Sequence, residues 1–421
     1  PEAGNTPPAR SLFAKGRGFT SGTLPYQAVN GEKSERSQDL LGAVGIRRSG
    51  HFSQQSGTSP SAVLWSRADR PFPELMNPLS EPLSRSPELF PHVLDVGTDS
   101  VSLIRLTEMD YERASFLDAR IVGPGTLSRS IPFAELRAAI DDATLAESAD
   151  FIFHIGHVGS TLLSRLLGRH PDIFALREPA VLRTLAQARA TPETMPRRWT
   201  DEEFETRLST FLKLWSRTFR PGQHALLKAT SFASELAAEI LNRPSRPKAI
   251  FMFVSPENYL ATILGAENSP KEAQMLAPLR LQRLQQRLGA SVNSPVSMGE
   301  LVAMSWASEM AALAGARPTA RQRILWLDFD AFLADPQSML ATCFAHLGVA
   351  ADEDQIREIL SGPDMRRYSK AQEYDYDAKL RADVLAQARV LQGGEIDRGL
   401  GWLKNMAAKH PLVMEATNIC R

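Results

Sequence analysis

The chain has little of what marks several classes of protein. It contains 2 cysteines among 421 residues, Cys343 and Cys420, which are too few for a disulfide framework and fit no zinc motif. Its 48 basic and 48 acidic side chains cancel, so no overall positive field gathers nucleic acid. No apolar run is long enough to span a membrane, and the first residues lack the hydrophobic middle of a secretory signal. These absences predict a cytoplasmic protein without a nucleic-acid or membrane partner.

The residues that are present divide the chain into three parts. Residues 1–75 are rich in Ser, Gly, Arg and Pro without sustained periodicity, and we expect them to be disordered because they bury little apolar surface. Residues 76–147 predict a small α+β module, with a hairpin over 92–106 and a helix entered through Ile131-Pro132. Residues 148–421 are expected to form the main α/β domain.

Short apolar strands alternate with amphipathic helical patterns in that main domain. The strand candidates are FIFHI (151–155), HALLKAT (224–230), KAIFMFV (248–254) and RILWLDF (323–329). Such alternation predicts a parallel sheet flanked by helices, a P-loop-like α/β fold. A helical segment, TLLSRLLGRH (161–170), follows the first strand directly.

Between this first strand and its helix lies a glycine turn that suits an anion. A glycine turn brings backbone N–H groups close to a ligand, and the start of a helix adds unpaired donors. The expected binding residues are Gly156, His157, Val158, Gly159, Ser160 and Thr161, of which Ser160 and Thr161 could also cap the helix. Only two residues separate the glycines and no lysine follows, so an ATP-hydrolysing motor or kinase is disfavoured. A helix entry that binds nothing is the alternative.

The segment GHVGSTLLSRLLGRHPDIFALREP (156–179) resembles the opening of the sulfotransferases that use 3′-phosphoadenosine 5′-phosphosulfate (PAPS). LDFDAFLADPQSMLATCFAHLGV (327–349) and, more weakly, LLKATSFASEL (226–236) resemble two further segments of these enzymes, so the likeness covers about 150–375. It implies transfer of a sulfuryl group from PAPS, a nucleotide sulfate donor, to a hydroxyl or amine of a small-molecule or peptide acceptor, with no metal.

The resemblance also implies roles for individual side chains. Glu178 takes the position of the general base, although it could instead pair with Arg177 or Arg183 on the surface. Lys228, at the end of a strand, is expected to offset charge on the leaving oxygen, unless it only extends into solvent from a sheet edge. His157 could donate to the phosphosulfate when protonated, or remain a neutral packing group.

The sequence departs from the family where the 3′-phosphate should bind. Val254 stands in the place of an arginine, which leaves Ser255 and Thr262 as the matching contacts and removes a strong charge-assisted bond. Three basic residues of the C-terminal segment could restore the charge, or simply form an exposed cluster: Arg366, Arg367 and Lys370.

Two other classes of function remain open from the residues alone. The chain could bind a nucleotide or a phosphorylated ligand without catalysis, or it could be a divergent phosphoryl transferase that needs magnesium and a lysine from elsewhere. The acceptor pocket is expected from residues 185–222 and 265–300, whose composition names no substrate. His154 is expected to face the core.

Overall fold

The computed structural model describes residues 80–143, 145–191, 197–373 and 375–420, so the predicted disordered extension over 1–75 lies outside the described residues. The strands are β1 Leu89–Asp95, β2 Ser100–Arg105, β3 Ser128–Pro132, β4 Asp150–His154, β5 Ile173–Arg177, β6 His224–Lys228, β7 Ala249–Phe253 and β8 Ile324–Asp328. The α-helices are α1 Ser80–Arg85, α2 Glu108–Arg113, α3 Phe133–Asp142, α4 Ser160–Leu167, α5 Ala180–Arg189, α6 Asp201–Trp215, α7 Ala237–Leu241, α8 Pro256–Leu264, α9 Ser269–Leu288, α10 Met298–Ala320, α11 Phe329–Ala334, α12 Pro336–Leu347, α13 Glu353–Ser361, α14 Ala378–Lys409 and α15 Pro411–Ile419.

The larger sheet has the strand order β5-β6-β4-β7-β8, and all of its pairs are parallel. Every residue of β7 is buried, as expected for a strand whose sheet carries helices on both faces. The predicted parallel sheet is confirmed, and the four strand predictions agree with the structure to within two residues at their ends.

The strand order creates a topological switch point at β4, where the chain connections run to opposite sides of the sheet. The chain leaves the central strand β4 for β5 at one edge, returns to β4 through β6, and then crosses to β7 on the other side. In open α/β sheets, ligands bind in the crevice beyond the carboxyl ends of the strands at such a point. The loop after β4, Glu178 after β5 and Lys228 at the end of β6 all lie at that edge.

The smaller sheet is antiparallel in the order β1-β2-β3, and Asp95 pairs with Ser100 across the turn, which confirms the predicted hairpin. α3 begins directly after Pro132, as predicted. Arg177 ties the larger sheet to α2, because its Nη1 donates to the carbonyls of Tyr111 at 2.7 Å and of the C-cap residue Ala114 at 2.6 Å. The domain boundary near residue 147 stays a prediction.

Candidate active site

The loop between β4 and α4 holds three residues in the left-handed backbone region, with φ of 89° at Gly156, 56° at His157 and 67° at Gly159. Glycine adopts this conformation readily, whereas the side chain of His157 makes it unfavourable. At position 159 there is also no room for a side chain, because an added Cβ would lie 2.0 Å from Cε2 of Phe329. The path of the loop therefore accounts for the spacing of its two glycines.

The backbone N–H groups of residues 157 to 162 donate to no acceptor among the described residues. The first bond that closes a turn of α4 runs from the Leu163 N–H to the Gly159 carbonyl, at 3.0 Å. The N-cap is Gly159 and no side chain caps the helix, so the expectation that Ser160 or Thr161 caps it is wrong. Consecutive unpaired amides at a helix N-terminus form a site for an anion.

Two hydroxyls in the first turns of α4 are further unpaired groups beside the loop. Thr161 Oγ1 and Ser164 Oγ are buried and have no hydrogen-bond partner among the described residues. A buried polar group left unpaired costs about 1–3 kcal/mol, so native structures rarely retain it without a reason. Within the part of the chain that the structure describes, the Thr161 hydroxyl, which was predicted to bind the anion, is therefore unpaired and available to a ligand.

Glu178 and Lys228 form an ion pair at the carboxyl ends of β5 and β6. The Glu178 N–H also donates to the Lys228 carbonyl at 2.7 Å, so the parallel register holds the two residues side by side. Lys228 is fully buried and its strand is internal, which rules out a lysine reaching solvent from a sheet edge. Among the described residues, Glu178 forms no ion pair with Arg177 or Arg183, and Arg177 is buried with its guanidinium bonded to carbonyls of α2 and its C-cap.

Glu178 has a backbone conformation that is unusual for its residue type. Its φ of 52° lies in the left-handed region, which is unfavourable for a side chain with a Cβ. Non-glycine residues with such backbone angles concentrate at functional sites. The bond to the Lys228 carbonyl helps to hold this conformation and presents the carboxylate to the loop side of the sheet edge.

His154 is buried, as expected, and it also joins the ion pair to the loop. Its Nδ1 accepts from the Gly156 N–H at 3.0 Å, and its Nε2 lies 2.8 Å from the Ala229 carbonyl and 3.9 Å from Glu178 Oε1. Burial and the charge of Lys228 hold the pKa of His154 well below its usual value. The ring is therefore neutral, with Nε2 donating to Ala229 and Nδ1 fixing the start of the loop.

Burial also shapes the charge of the other basic groups. It lowers the pKa of Lys228 to about 8, with Glu178 opposing the fall, so the ammonium is charged at neutral pH. Burial, followed by the charges of Lys370 and Arg280, lowers the pKa of His157 to about 3, so without a bound anion this side chain is neutral.

Of the three basic residues expected from the C-terminal segment, Lys370 is the one that acts on the loop. Its charge lowers the pKa of both His154 and His157, and its ammonium has no ion-pair partner among the described residues. The adjacent Ser369 carbonyl accepts from Arg165 Nε at 3.0 Å, which anchors this segment on α4. Two members of the predicted cluster have other partners: Arg366 bonds to the Ser361 carbonyl at 2.9 Å, and Arg367 pairs with Asp375 at 3.5 Å.

The residues predicted to hold a 3′-phosphate are engaged within α8. Ser255 Oγ accepts from the Asn258 N–H at 3.3 Å, and Thr262 Oγ1 donates to the Asn258 carbonyl at 2.7 Å. Val254, in the place of the family's arginine, is fully buried. In this part of the structure, Ser255 serves as the N-cap of the helix.

Two arginines that the sequence did not single out reach this region from α14. Arg389 contacts Asn258 and pairs with Glu257 at 2.6 Å, while Arg381 pairs with Asp330 at 2.8 Å. Arg381 also lies 5.0 Å from the centroid of the Phe329 ring, the ring that packs on the loop. Both cations are already neutralised by carboxylates.

Among the described residues, no group of three or more His, Cys, Asp or Glu side chains is arranged to hold a metal ion. In the same part of the chain, every helix is too short or too polar to cross a bilayer.

No protein-family model and no curated protein match this chain. Solved structures with some likeness include the sulfotransferase domain from the curacin biosynthetic pathway, at 12% identity and a TM-score of 0.34 over 59% of this chain and 99% of that one. Sulfotransferase STF9 from Mycobacterium avium has 13% identity and a TM-score of 0.34 over 61% and 81% of the two chains. Mouse sulfotransferase SULT7A1, complexed with PAP, has 12% identity and a TM-score of 0.34 over 67% and 93%.

Proposed function

We propose that this protein is a sulfotransferase that moves a sulfuryl group from PAPS to a hydroxyl or amine of an acceptor. One observation supports this most: the Glu178–Lys228 pair lies at the same sheet edge as a loop with unpaired backbone amides. A carboxylate, an ammonium and an anion site are the groups that in-line transfer of a charged sulfuryl group requires.

Each group has a distinct task in such a transfer. The acceptor oxygen or nitrogen attacks sulfur while the bond from sulfur to the bridging oxygen breaks. Glu178 takes the acceptor's proton, and Lys228 offsets the negative charge that grows on the departing oxygen. Because the two side chains neutralise each other in the unliganded state, donor binding must draw the ammonium towards the anion, which leaves the carboxylate free for its proton.

The remaining predicted residues hold the donor. The unpaired amides from His157 to Thr161 surround the sulfated end next to Gly156, and the charge of Lys370 supplements them. The bound anion raises the pKa of His157, so that a protonated imidazole adds a further donor. Ser255, the N-cap of α8, and Thr262, in the last turn of that helix, contact the 3′-phosphate once their internal bonds rearrange.

A second candidate, a protein that binds a nucleotide without catalysis, is favoured by the state of the 3′-phosphate region. Val254 supplies no charge, and Arg381 and Arg389 are each paired with a carboxylate. Such a protein would use the same loop but would not turn over its ligand.

Thermal unfolding of the whole chain with different ligands tests whether the protein binds the proposed sulfate donor. A ligand at 100 times its dissociation constant stabilises the folded state by about 2.7 kcal/mol, which corresponds to a shift in Tm on the order of 5 °C. We expect such a shift with PAPS and with its product, 3′-phosphoadenosine 5′-phosphate (PAP), but not with ATP–magnesium. The opposite result would favour a phosphoryl transferase and refute the proposal.

Transfer of ³⁵S from labelled PAPS to a panel of phenols, alcohols and amines then separates catalysis from binding. We expect labelled product from at least one acceptor. A protein that binds PAP and transfers no label to any acceptor would instead be the non-catalytic candidate.

A further inference from the structure

Arg280, in the middle of α9, is a nearly buried arginine that the proposed mechanism does not use. It is 6% exposed, and its Nε donates to Oε1 of the fully buried Glu309 at 3.3 Å. Its Nη1 and Nη2 donate to no acceptor among the described residues, and neither is among the unpaired atoms sealed from solvent. Burying a guanidinium is unfavourable unless its nitrogens are hydrogen-bonded, so the two unused nitrogens remain available to water or a ligand.

The neighbouring arginine on the same helix shows what a purely structural role looks like. Arg283 is 2% exposed, pairs with Glu235 and stacks 4.3 Å from the Phe232 ring centroid. Its Nε and Nη1 have no hydrogen-bond partner among the described residues but are sealed from solvent, so no ligand reaches them. Arg280 differs because its free nitrogens stay open.

A short chain of contacts connects Arg280 to the loop. Glu309 accepts a hydrogen bond from the hydroxyl of Ser234, in the 3₁₀ helix Ser231–Leu236 that follows β6. The first residue of that helix, Ser231, lies against Gly156, with its Oγ 3.5 Å from the position of an added Cβ. The charge of Arg280 also contributes to the low pKa of His157.

Tyr259, on the helix α8 that packs against α9, supplies a second unpaired donor. It is 2% exposed in the first turn of α8, and its hydroxyl has no hydrogen-bond partner among the described residues and is not sealed. Burial raises the pKa of Tyr259 to about 12, with Arg280 opposing the rise, so the phenol keeps its proton and donates.

The two groups together match a planar anion. A guanidinium presents two parallel N–H groups to the two oxygens of a carboxylate, and a phenol adds a third donor. The donor anion already has the loop amides, Lys228 and Lys370, whereas Arg280 lies within residues 265–300, the segment expected to serve the acceptor.

We infer that Arg280 and Tyr259 bind the carboxylate of an acceptor whose reactive hydroxyl or amine lies elsewhere on the molecule. The assignment of this ligand as the acceptor rests on the proposed function, but the carboxylate site itself does not depend on turnover. It assigns the acceptor to the class of hydroxy- or amino-carboxylic acids.

The test measures the Kd of matched acids and amides for the whole chain saturated with PAP. The pairs are 4-hydroxyphenylacetate with 4-hydroxyphenylacetamide and 3-hydroxybutyrate with 3-hydroxybutyramide. A charge-assisted pair contributes about 1.5–3 kcal/mol, so we expect at least one acid to bind about ten- to a hundredfold more tightly than its amide. If no acid binds more tightly than its amide, including when neither binds, the inference is overturned.

Two variants locate the effect. Tyr259→Phe removes only the hydroxyl, and Arg280→Lys keeps a charge beside Glu309 while losing the planar fork. Each should reduce the preference for the acid about tenfold and leave the Kd of PAP unchanged, which also shows that the variant is folded. Arg287→Lys, on the same helix but paired with Glu235, is the control and should keep the preference.

Two outcomes separate the inference from the proposed function. Loss of PAP binding in parallel with loss of the acid's advantage would place Arg280 on the donor and overturn the inference. Preference for the acid without any sulfuryl transfer would refute the sulfotransferase and leave the carboxylate site standing.

Discussion

Replacing Glu178 by Gln separates the chemical role of the carboxylate from its structural one. The change keeps the size of the side chain but removes both the proposed base and the partner of Lys228. General-base catalysis contributes about 10²–10⁴-fold, so we expect sulfuryl transfer to fall by that factor.

The same change has a cost in stability. Removing one partner of a buried pair destabilises a protein by about 3–5 kcal/mol, and the 17% exposure of the Glu178 side chain favours the lower end of that range. Loss of the carboxylate also lowers the pKa of Lys228 further, which neutralises the ammonium and limits the loss. We therefore expect a folded variant whose unfolding free energy is about 3 kcal/mol lower.

The control is Glu147→Gln, because Glu147 is a carboxylate of similar exposure, 13%, that pairs with Arg243 at 2.6 Å away from the sheet edge. It should lower the unfolding free energy without lowering turnover. The assay combines ³⁵S transfer with urea unfolding and the PAP-induced shift in Tm, which Glu178→Gln should retain. Turnover in Glu178→Gln within threefold of the wild type would show that the base is another group.

Three further predictions concern the loop and its cations. Because the pKa of Lys228 is about 8, the ammonium loses its charge and PAP affinity should fall as pH rises through 8. Lys228→Arg should abolish this fall. An affinity of the wild type that stays constant from pH 7 to 9 would contradict the role of the ammonium. Gly159→Ala should lower Tm more than Gly156→Ala, because an added Cβ would lie 2.0 Å from Phe329 at position 159 but 3.5 Å from its nearest neighbour at position 156. Equal shifts in Tm would mean that the loop relaxes freely. Lys370→Ala should weaken PAP binding about tenfold by calorimetry, as expected for one charge-assisted contact, and an unchanged Kd would remove this lysine from the site.

The parallel sheet and the nearness of the main site residues could be predicted from the sequence. The apolar strand runs are long enough to be recognised, and residues that follow parallel strands meet at one edge, as the loop after β4, Glu178 and Lys228 do. Their contact as an ion pair could not be predicted, because it depends on β5 and β6 being neighbours with Arg177 opposite Lys228.

The side chains that the sequence did not reveal belong to helices or to the core. His154 ends an apolar strand and looked like a core residue, since its bond to the Gly156 N–H depends on the turn that follows it. Arg280, Arg283 and Arg287 recur at helical spacing within α9, which is a signal of one basic face. That pattern normally marks a solvated surface, and only the packing of α9 on α10 turns this face inward.

The Glu178 N–H is bonded to the Lys228 carbonyl, so the proposed proton acceptor and its proposed counter-charge follow two neighbouring, hydrogen-bonded strands. Sliding either strand by a single position would part them and would also disrupt the buried centre of the protein. Reactive groups so placed tolerate little evolutionary drift, whereas α8 and α9 can exchange side chains without disturbing them. New acceptor preferences should therefore arise on those two helices, with the strand ends left as they are.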